Sequence, residues 1–157
     1  MDVANTSIEP DLNIAIDAVC YLSASCILLC EAVVGGRAES VAALLADPGT
    51  EVNAVDGAGQ TALLVACSQG RDKLARIILT QSTQTVDVNK RCHQGFSPLL
   101  AASLAGFRFC VKALLGSRSL SLTATWEGMS AEQIAEANGH RRVVCLIRVS
   151  QAGKGQY

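Results

Sequence analysis

A ten-residue pattern recurs three times in this chain, and the recurrence constrains the fold more than any other feature of the sequence. Each copy begins with a hydroxyl residue, continues through small and aliphatic residues, and ends with a glycine. The copies are residues 61–70, 97–106 and 130–139, and a weaker fourth copy is residues 27–36. The glycines at 36, 70, 106 and 139 are therefore 34, 36 and 33 residues apart. A period of this length indicates an array of stacked structural units.

The residues on both sides of each glycine have the spacing of helices. After Gly106, for example, the apolar residues Val111 and Leu114 lie on one stripe of a helix. The hydroxyl residue is a typical N-cap, and Ser130 and Gln133 have capping-box spacing. Each unit is therefore predicted to be a helix, a glycine turn, a second helix and a reversing loop. One unit cannot bury its apolar stripe alone, so the units are predicted to stack.

The pattern resembles the ankyrin repeat, whose period is about 33 residues and whose signature is T-P-L-H-x-A. The matching stretches are Thr-Ala-Leu-Leu-Val-Ala at 61–66 and Ser-Pro-Leu-Leu-Ala-Ala at 97–102. The pairs at 52–53 and 88–89 match the family's Val-Asn. The resemblance covers roughly residues 27–149. It implies an all-α solenoid of stacked helix-turn-helix units joined by short hairpin loops.

The sequence departs from the family pattern at the start of the inner helices and in the hairpins. Leu64 and Leu100 replace the signature histidine. Cys92 and Thr125 stand where the family usually has aspartate, and only Asp56 keeps it. We therefore expect weaker hydrogen bonding in the later hairpins.

The resemblance also suggests how the chain is divided. We predict an N-terminal cap segment over residues 1–26, an ankyrin domain over 27–149 and a flexible tail over 150–157. Within the cap segment, residues 10–22 are predicted to form a helix that covers the first repeat, since terminal repeats are usually atypical. The predicted repeats lie near residues 22–54, 55–90, 91–123 and 124–149.

Composition favours an intracellular protein. The seven cysteines are an odd number among apolar neighbours, which favours reduced thiols over a secreted disulfide framework. The N-terminus lacks the basic residues of a signal peptide, and the longest apolar run, residues 18–30, is too short to span a bilayer. A formal net charge of -1 gives no general attraction for nucleic acid. We expect a cytoplasmic or nuclear chain, monomeric alone, that binds no nucleic acid and does not insert into a membrane.

The sequence contains no recognisable catalytic motif or metal site. His140 follows Gly139 as in the family's Gly-His pair, so we expect it to make a structural hydrogen bond. The cysteine group Cys20, Cys26 and Cys30 lacks the ligand spacing of a zinc finger. We therefore predict no enzymatic activity, no catalytic residue, no bound metal and no cofactor.

The remaining cysteines are assigned by their neighbours. Cys67, Cys110 and Cys145 are predicted at helix core positions, where a thiol packs as a small hydrophobe. Cys92 is predicted in an exposed hairpin beside the cation of Arg91. A thiol-based redox or metal sensor that uses Cys92 or the N-terminal cysteine group is therefore an alternative function.

Charge is unevenly distributed along the chain. Residues 1–57 contain nine acids and one base, a net charge of -8, whereas residues 58–157 contain twelve bases and five acids, a net charge of +7. A solenoid converts sequence order into spatial order, so this difference becomes a dipole along the molecule. The dipole could steer a partner or favour head-to-tail contacts. A self-associating assembly element is a second alternative function.

The resemblance implies a non-catalytic interaction module, an adaptor, scaffold or inhibitor, that binds another protein in the concave groove of hairpin tips and inner helices. Trp126 is the only tryptophan, and we expect it to be displayed outward at a hairpin tip as a contact hot spot. The residues carried over to the groove are Val55, Ala58, Gln60, Ser68, Gln69, Arg91, His93, Gln94, Phe96, Leu104, Trp126, Glu127, Met129 and Asn138.

Overall fold

Pairs of antiparallel helices follow one another along the computed structural model, which describes residues 27–154. The cap helix expected at residues 10–22 lies outside the described residues. The helices are α1 (27–34), α2 (Ala38–Ala46), α3 (Ala62–Ser68), α4 (Asp72–Gln81), α5 (Pro98–Ala105), α6 (Arg108–Leu115), α7 (Ala131–Ala137) and α8 (Arg141–Lys154). A short antiparallel hairpin pairs β1 (Thr125–Trp126) with β2 (Met129–Ser130).

The helices form two layers. The inner helices α3, α5 and α7 pack in sequence against one another, and the outer helices α2, α4, α6 and α8 do the same. Each inner helix also packs against the outer helix that follows it, and a continuous aliphatic core lies between the layers. This arrangement confirms the predicted all-α solenoid of stacked helix-turn-helix units.

The caps predicted from the sequence begin the inner helices. The side chains of Thr61 and Ser97 each accept a hydrogen bond from a backbone N–H three residues later, and Pro98 occupies the first turn of α5. Ser130 and Gln133 form a complete capping box at the start of α7. These bonds satisfy N–H groups that would otherwise lack partners at the helix ends.

The glycines after α3 and α5 allow a close approach between repeats. Gly106 has φ +79°, and a Cβ there would lie 2.5 Å from Nδ1 of His140. At Gly70, a Cβ would lie 2.8 Å from the ring of Phe107. His140 Nε2 donates to the carbonyl oxygen of Leu104 at 3.0 Å, which confirms its predicted structural role. The residue after one glycine therefore covers the glycine of the preceding repeat.

The asparagine of each Val-Asn pair joins neighbouring repeats. Asn53 Nδ2 donates to the carbonyl oxygen of Thr85 at 2.8 Å, and Asn53 Oδ1 accepts from the N–H of Asp87 at 2.7 Å. Asn89 makes the corresponding two bonds to the next repeat, each at 2.7 Å. These bonds explain why an amide side chain, which both donates and accepts, occupies this position.

The hairpins keep their backbone bonds although the family aspartate is lost. Asp56 Oδ1 accepts from the N–H groups of Ala58 and Gln60, each at 2.9 Å. The next hairpin has Cys92 at this position and makes no such bonds, yet the Cys92 N–H still donates to the Phe96 carbonyl oxygen at 3.0 Å. The expected loss is therefore confined to the side-chain bonds.

Three expectations about exposure and helix length are wrong. Cys92 is only 8% exposed, because its thiol turns towards the inner helices instead of solvent. Cys145 is exposed, because the buried stripe of α8 contains Val143, Val144 and Ile147 and Cys145 lies off that stripe. Helix α8 continues to Lys154, past the predicted boundary at residue 149, so the tail is helical up to that point.

Among the described residues, no helix is long and apolar enough to cross a membrane.

Candidate partner-binding groove

A cavity of about 210 Å³ lies between the hairpin that contains Cys92 and the inner helices α3 and α5. We call this cavity the groove cavity. Five residues predicted from the sequence line it: Gln60, Ser68, Gln94, Phe96 and Leu104. Ala105, which the resemblance also places in the groove, lines the cavity as well, and the structure adds Leu64, Cys92 and Ala101.

Two of the lining residues that the sequence analysis missed occupy positions at which the chain departs from the family pattern. Leu64 replaces the signature histidine and Cys92 replaces the aspartate, so both substitutions make this part of the groove less polar. Ala101 leaves space because its side chain is small. The two departures together are the sequence signal that could have located the cavity.

Trp126 connects two hairpins. Its side chain is half-buried, and its ring stacks on Phe96 with 4.5 Å between centroids and 25° between planes. The indole Nε1 donates to the carbonyl oxygen of Gln94 at 3.0 Å. The expectation of an indole displayed outward at a hairpin tip is therefore corrected. The ring is fixed between the third hairpin, which contains Cys92 in the third repeat, and the fourth hairpin, which β1 and β2 form in the fourth repeat.

Two further contacts hold the hairpin tips together. The backbone N–H of His93 donates to the Ala58 carbonyl oxygen at 3.1 Å, and the His93 ring lies where a Cβ at Gly59 would clash. Arg91 Nη1 donates to the Thr125 carbonyl oxygen at 2.9 Å. Successive tips are therefore bonded to one another, and the groove has its shape before any partner binds.

All fourteen residues predicted for the groove are at least partly exposed, so a partner could reach them. Gln60, Phe96, Trp126 and Met129 are half-buried. The exposed ones are Val55, Ala58, Ser68, Gln69, Arg91, His93, Gln94, Leu104, Glu127 and Asn138. Those outside the groove cavity are distributed over the hairpins and the ends of the inner helices.

The described thiols give little support to a sensor. Cys67 on α3 and Cys110 on α6 are both fully buried. A hydrogen bond to Cys110, together with burial, raises the pKa of the Cys67 thiol. Across residues 27–154 no group of three or more candidate ligands could hold a metal ion. The sensor hypothesis required an exposed thiol at Cys92, and this residue is buried. Cys20 and Cys26, which the hypothesis also named, lie outside the described residues.

Comparison with known proteins shows the family of this chain. A family model of ankyrin repeats matches residues 29–125 as three copies, which is more than half of the chain. The chain belongs to the ankyrin repeat family. Ankyrin repeats are generally protein–protein interaction modules and are typically non-catalytic.

A curated relative is similar to part of this chain. The inactive serine/threonine-protein kinase TEX14 of Bos taurus is 29% identical over 103 residues, which are 66% of this chain and 7% of that protein. The chain therefore spans a small fraction of the length of this relative.

Proposed function

We propose that this ankyrin domain binds a partner protein through its hairpin groove and acts as a non-catalytic adaptor, scaffold or inhibitor. The observation that carries the proposal is the groove cavity, to which two hairpins and two inner helices contribute. Its lining combines an apolar side chain, Leu104, which is 38% exposed, with the uncharged polar groups of Gln60, Ser68 and Gln94.

The chemistry of the lining suggests what part of a partner would enter. Among residues 27–154, no charged side chain lines the groove cavity. An aliphatic side chain of the partner would lose water contact against Leu64 and Leu104, and such burial is worth about 1.5–3 kcal/mol. The amides of Gln60 and Gln94 would then be available to hydrogen-bond the partner's backbone beside it.

The bonds between hairpin tips support the same proposal. Because the tips are already joined through Arg91, His93 and Trp126, docking need not order a flexible loop. Each side chain that is immobilised on binding costs about 0.5–1.5 kcal/mol, so a preformed groove retains more of its contact energy.

A charge placed in the groove tests the proposal. Leu104→Arg puts a cation beside the groove cavity, whereas Val149→Arg makes the same change on α8 at a side chain that is 67% exposed. Both are surface positions, so circular dichroism should give similar melting curves. The full chain and both variants are used as bait in quantitative affinity purification, and retained proteins are then titrated in purified form.

We expect at least one protein that the wild type and Val149→Arg retain and Leu104→Arg loses. Purified, that protein should bind Leu104→Arg at least about tenfold more weakly, as expected when a hot spot is disrupted. If Leu104→Arg retains every protein that the wild type retains, the groove is not the binding surface and the proposal fails.

A further inference from the structure

Arginines gather along the edge of the solenoid where each inner helix turns into its outer helix. Each lies one to three residues after the glycine of a repeat, so stacking places all of them on one edge. We call this surface the arginine edge, and it consists of Arg37, Arg71, Arg108, Arg141 and Arg142. It lies at the C-terminal ends of the inner helices, and none of the residues that line the groove cavity lines the cavity at this edge.

Within the part of the chain that the structure describes, these five arginines form no ion pair with a carboxylate. Among the described residues, the ion pairs are those of Arg148 with Glu132 and Glu136. Arg71 Nη2 instead donates to the carbonyl oxygen of Val34 at 3.0 Å, and Arg108 lies over the Phe109 ring at 4.4 Å from its centroid. The arginine edge therefore presents positive charge that the described part of the chain leaves available.

A cavity of about 500 Å³ opens at this edge, and residues of the second, third and fourth repeats line it. Arg108, Arg141 and Arg142 line it against the single carboxylate of Asp72. Phe109 also lines it and is 46% exposed, so part of its ring is accessible to a partner. Arginine and aromatic side chains around a cavity have the composition of an interface hot spot.

We propose that the arginine edge is a second interaction surface, which binds an acidic segment of a partner protein. An aromatic or aliphatic side chain of that segment enters the cavity against Phe107 and Phe109. Its flanking carboxylates pair with Arg108, Arg141 and Arg142, whose planar guanidinium groups suit carboxylates. This surface goes beyond the groove proposed above and does not depend on it.

The charges favour an acidic peptide over a long polyanion such as RNA. The carboxylates of Glu39 and Asp72 interrupt the arginine edge, and the whole chain has a net charge of -1. An extended nucleic acid backbone needs a continuous positive track. A short peptide needs only the three arginines at the cavity and a place for one apolar side chain.

Selection of peptides tests this inference without a known partner. A random dodecapeptide library displayed on phage is panned against the full chain, and the consensus peptide is then synthesised and titrated. The test variant Arg141→Glu/Arg142→Glu reverses two exposed charges at the cavity. The control Arg76→Glu/Lys112→Glu makes the same change in net charge at exposed positions on the outer helices α4 and α6. Melting curves verify that both variants fold.

We expect a consensus rich in aspartate and glutamate around one aromatic or aliphatic residue. Its affinity should fall at least about tenfold in the test variant, because charge-assisted hydrogen bonds are lost, and change little in the control. Leu104→Arg should bind the peptide normally, which separates this surface from the groove. A neutral consensus, no consensus, or an equal loss in the control overturns the proposal. Tighter binding of a uridine 20-mer that the test variant abolishes would also overturn it.

Discussion

Replacement of Trp126 by alanine measures how strongly the third and fourth hairpins are joined. The change removes the stack on Phe96 and the Nε1 hydrogen bond to Gln94. An aromatic pair contributes about 0.5–1.5 kcal/mol beyond burial, and a hydrogen bond contributes about as much. The side chain is half-buried, so the total should be below the roughly 3–5 kcal/mol of a fully buried aromatic. We expect Trp126→Ala to lower the free energy of unfolding by about 2–3 kcal/mol.

Two further variants assign that loss to its causes. Trp126→Phe keeps a ring over Phe96 but removes the indole N–H, so it should cost only about 0.5–1.5 kcal/mol. Phe96→Ala, alone and combined with Trp126→Ala, completes a double-mutant cycle. The cycle should give a coupling energy of about 0.5–1.5 kcal/mol for the stacked pair.

The assay is urea unfolding followed by far-ultraviolet circular dichroism, because fluorescence would lose its probe in the variants that lack the only tryptophan. The slopes of the transitions must agree between variants for the comparison to hold. A loss below about 0.5 kcal/mol for Trp126→Ala is typical of an unconstrained surface residue. A loss this small, or a coupling energy of zero, would refute the claim that the indole stabilises the contact between the two hairpins.

Other positions give smaller and independent tests. Glu127 has φ +50°, so Glu127→Gly should stabilise the chain by about 1–2 kcal/mol in thermal melts, and a decrease in melting temperature would refute the strain. Ser103 Oγ is buried without a hydrogen-bond partner in the described part of the chain. Ser103→Ala should therefore raise the free energy of unfolding by about 1–3 kcal/mol in urea titrations. A lower free energy of unfolding would show that the hydroxyl makes a stabilising hydrogen bond. Maleimide labelling of the native chain, mapped by mass spectrometry, should modify Cys145 long before Cys67 or Cys110, and equal rates would contradict their burial.

The sequence predicts the features of the fold that depend on local chemistry. Caps such as Ser97 and Ser130, and turns such as that at Gly106, are specified by residues close in the chain. Their recurrence also predicts the stacking, because one helix pair has an apolar stripe that only another pair can cover. The family and the all-α solenoid could therefore be predicted before the structure was known.

The errors occur where side chains from different repeats meet. Cys92 occupies a hairpin position that is usually polar, and its burial depends on space left by residues of α5. The orientation of Trp126 depends on Phe96, which is 30 residues away in the sequence. Cys145 has apolar neighbours, but the stripe that α8 buries is set by its packing on α6 and α7. A periodic sequence pattern does not specify which side chains of different repeats contact one another.

Hydrogen exchange of the full chain, with and without a partner isolated through the groove test, shows whether that partner binds in the groove. Binding should slow amide exchange in residues 60–68 and 92–105, which surround the groove cavity, while α4 keeps its exchange rates. Slower exchange in α4 without any change in residues 60–68 and 92–105 would contradict binding in the groove.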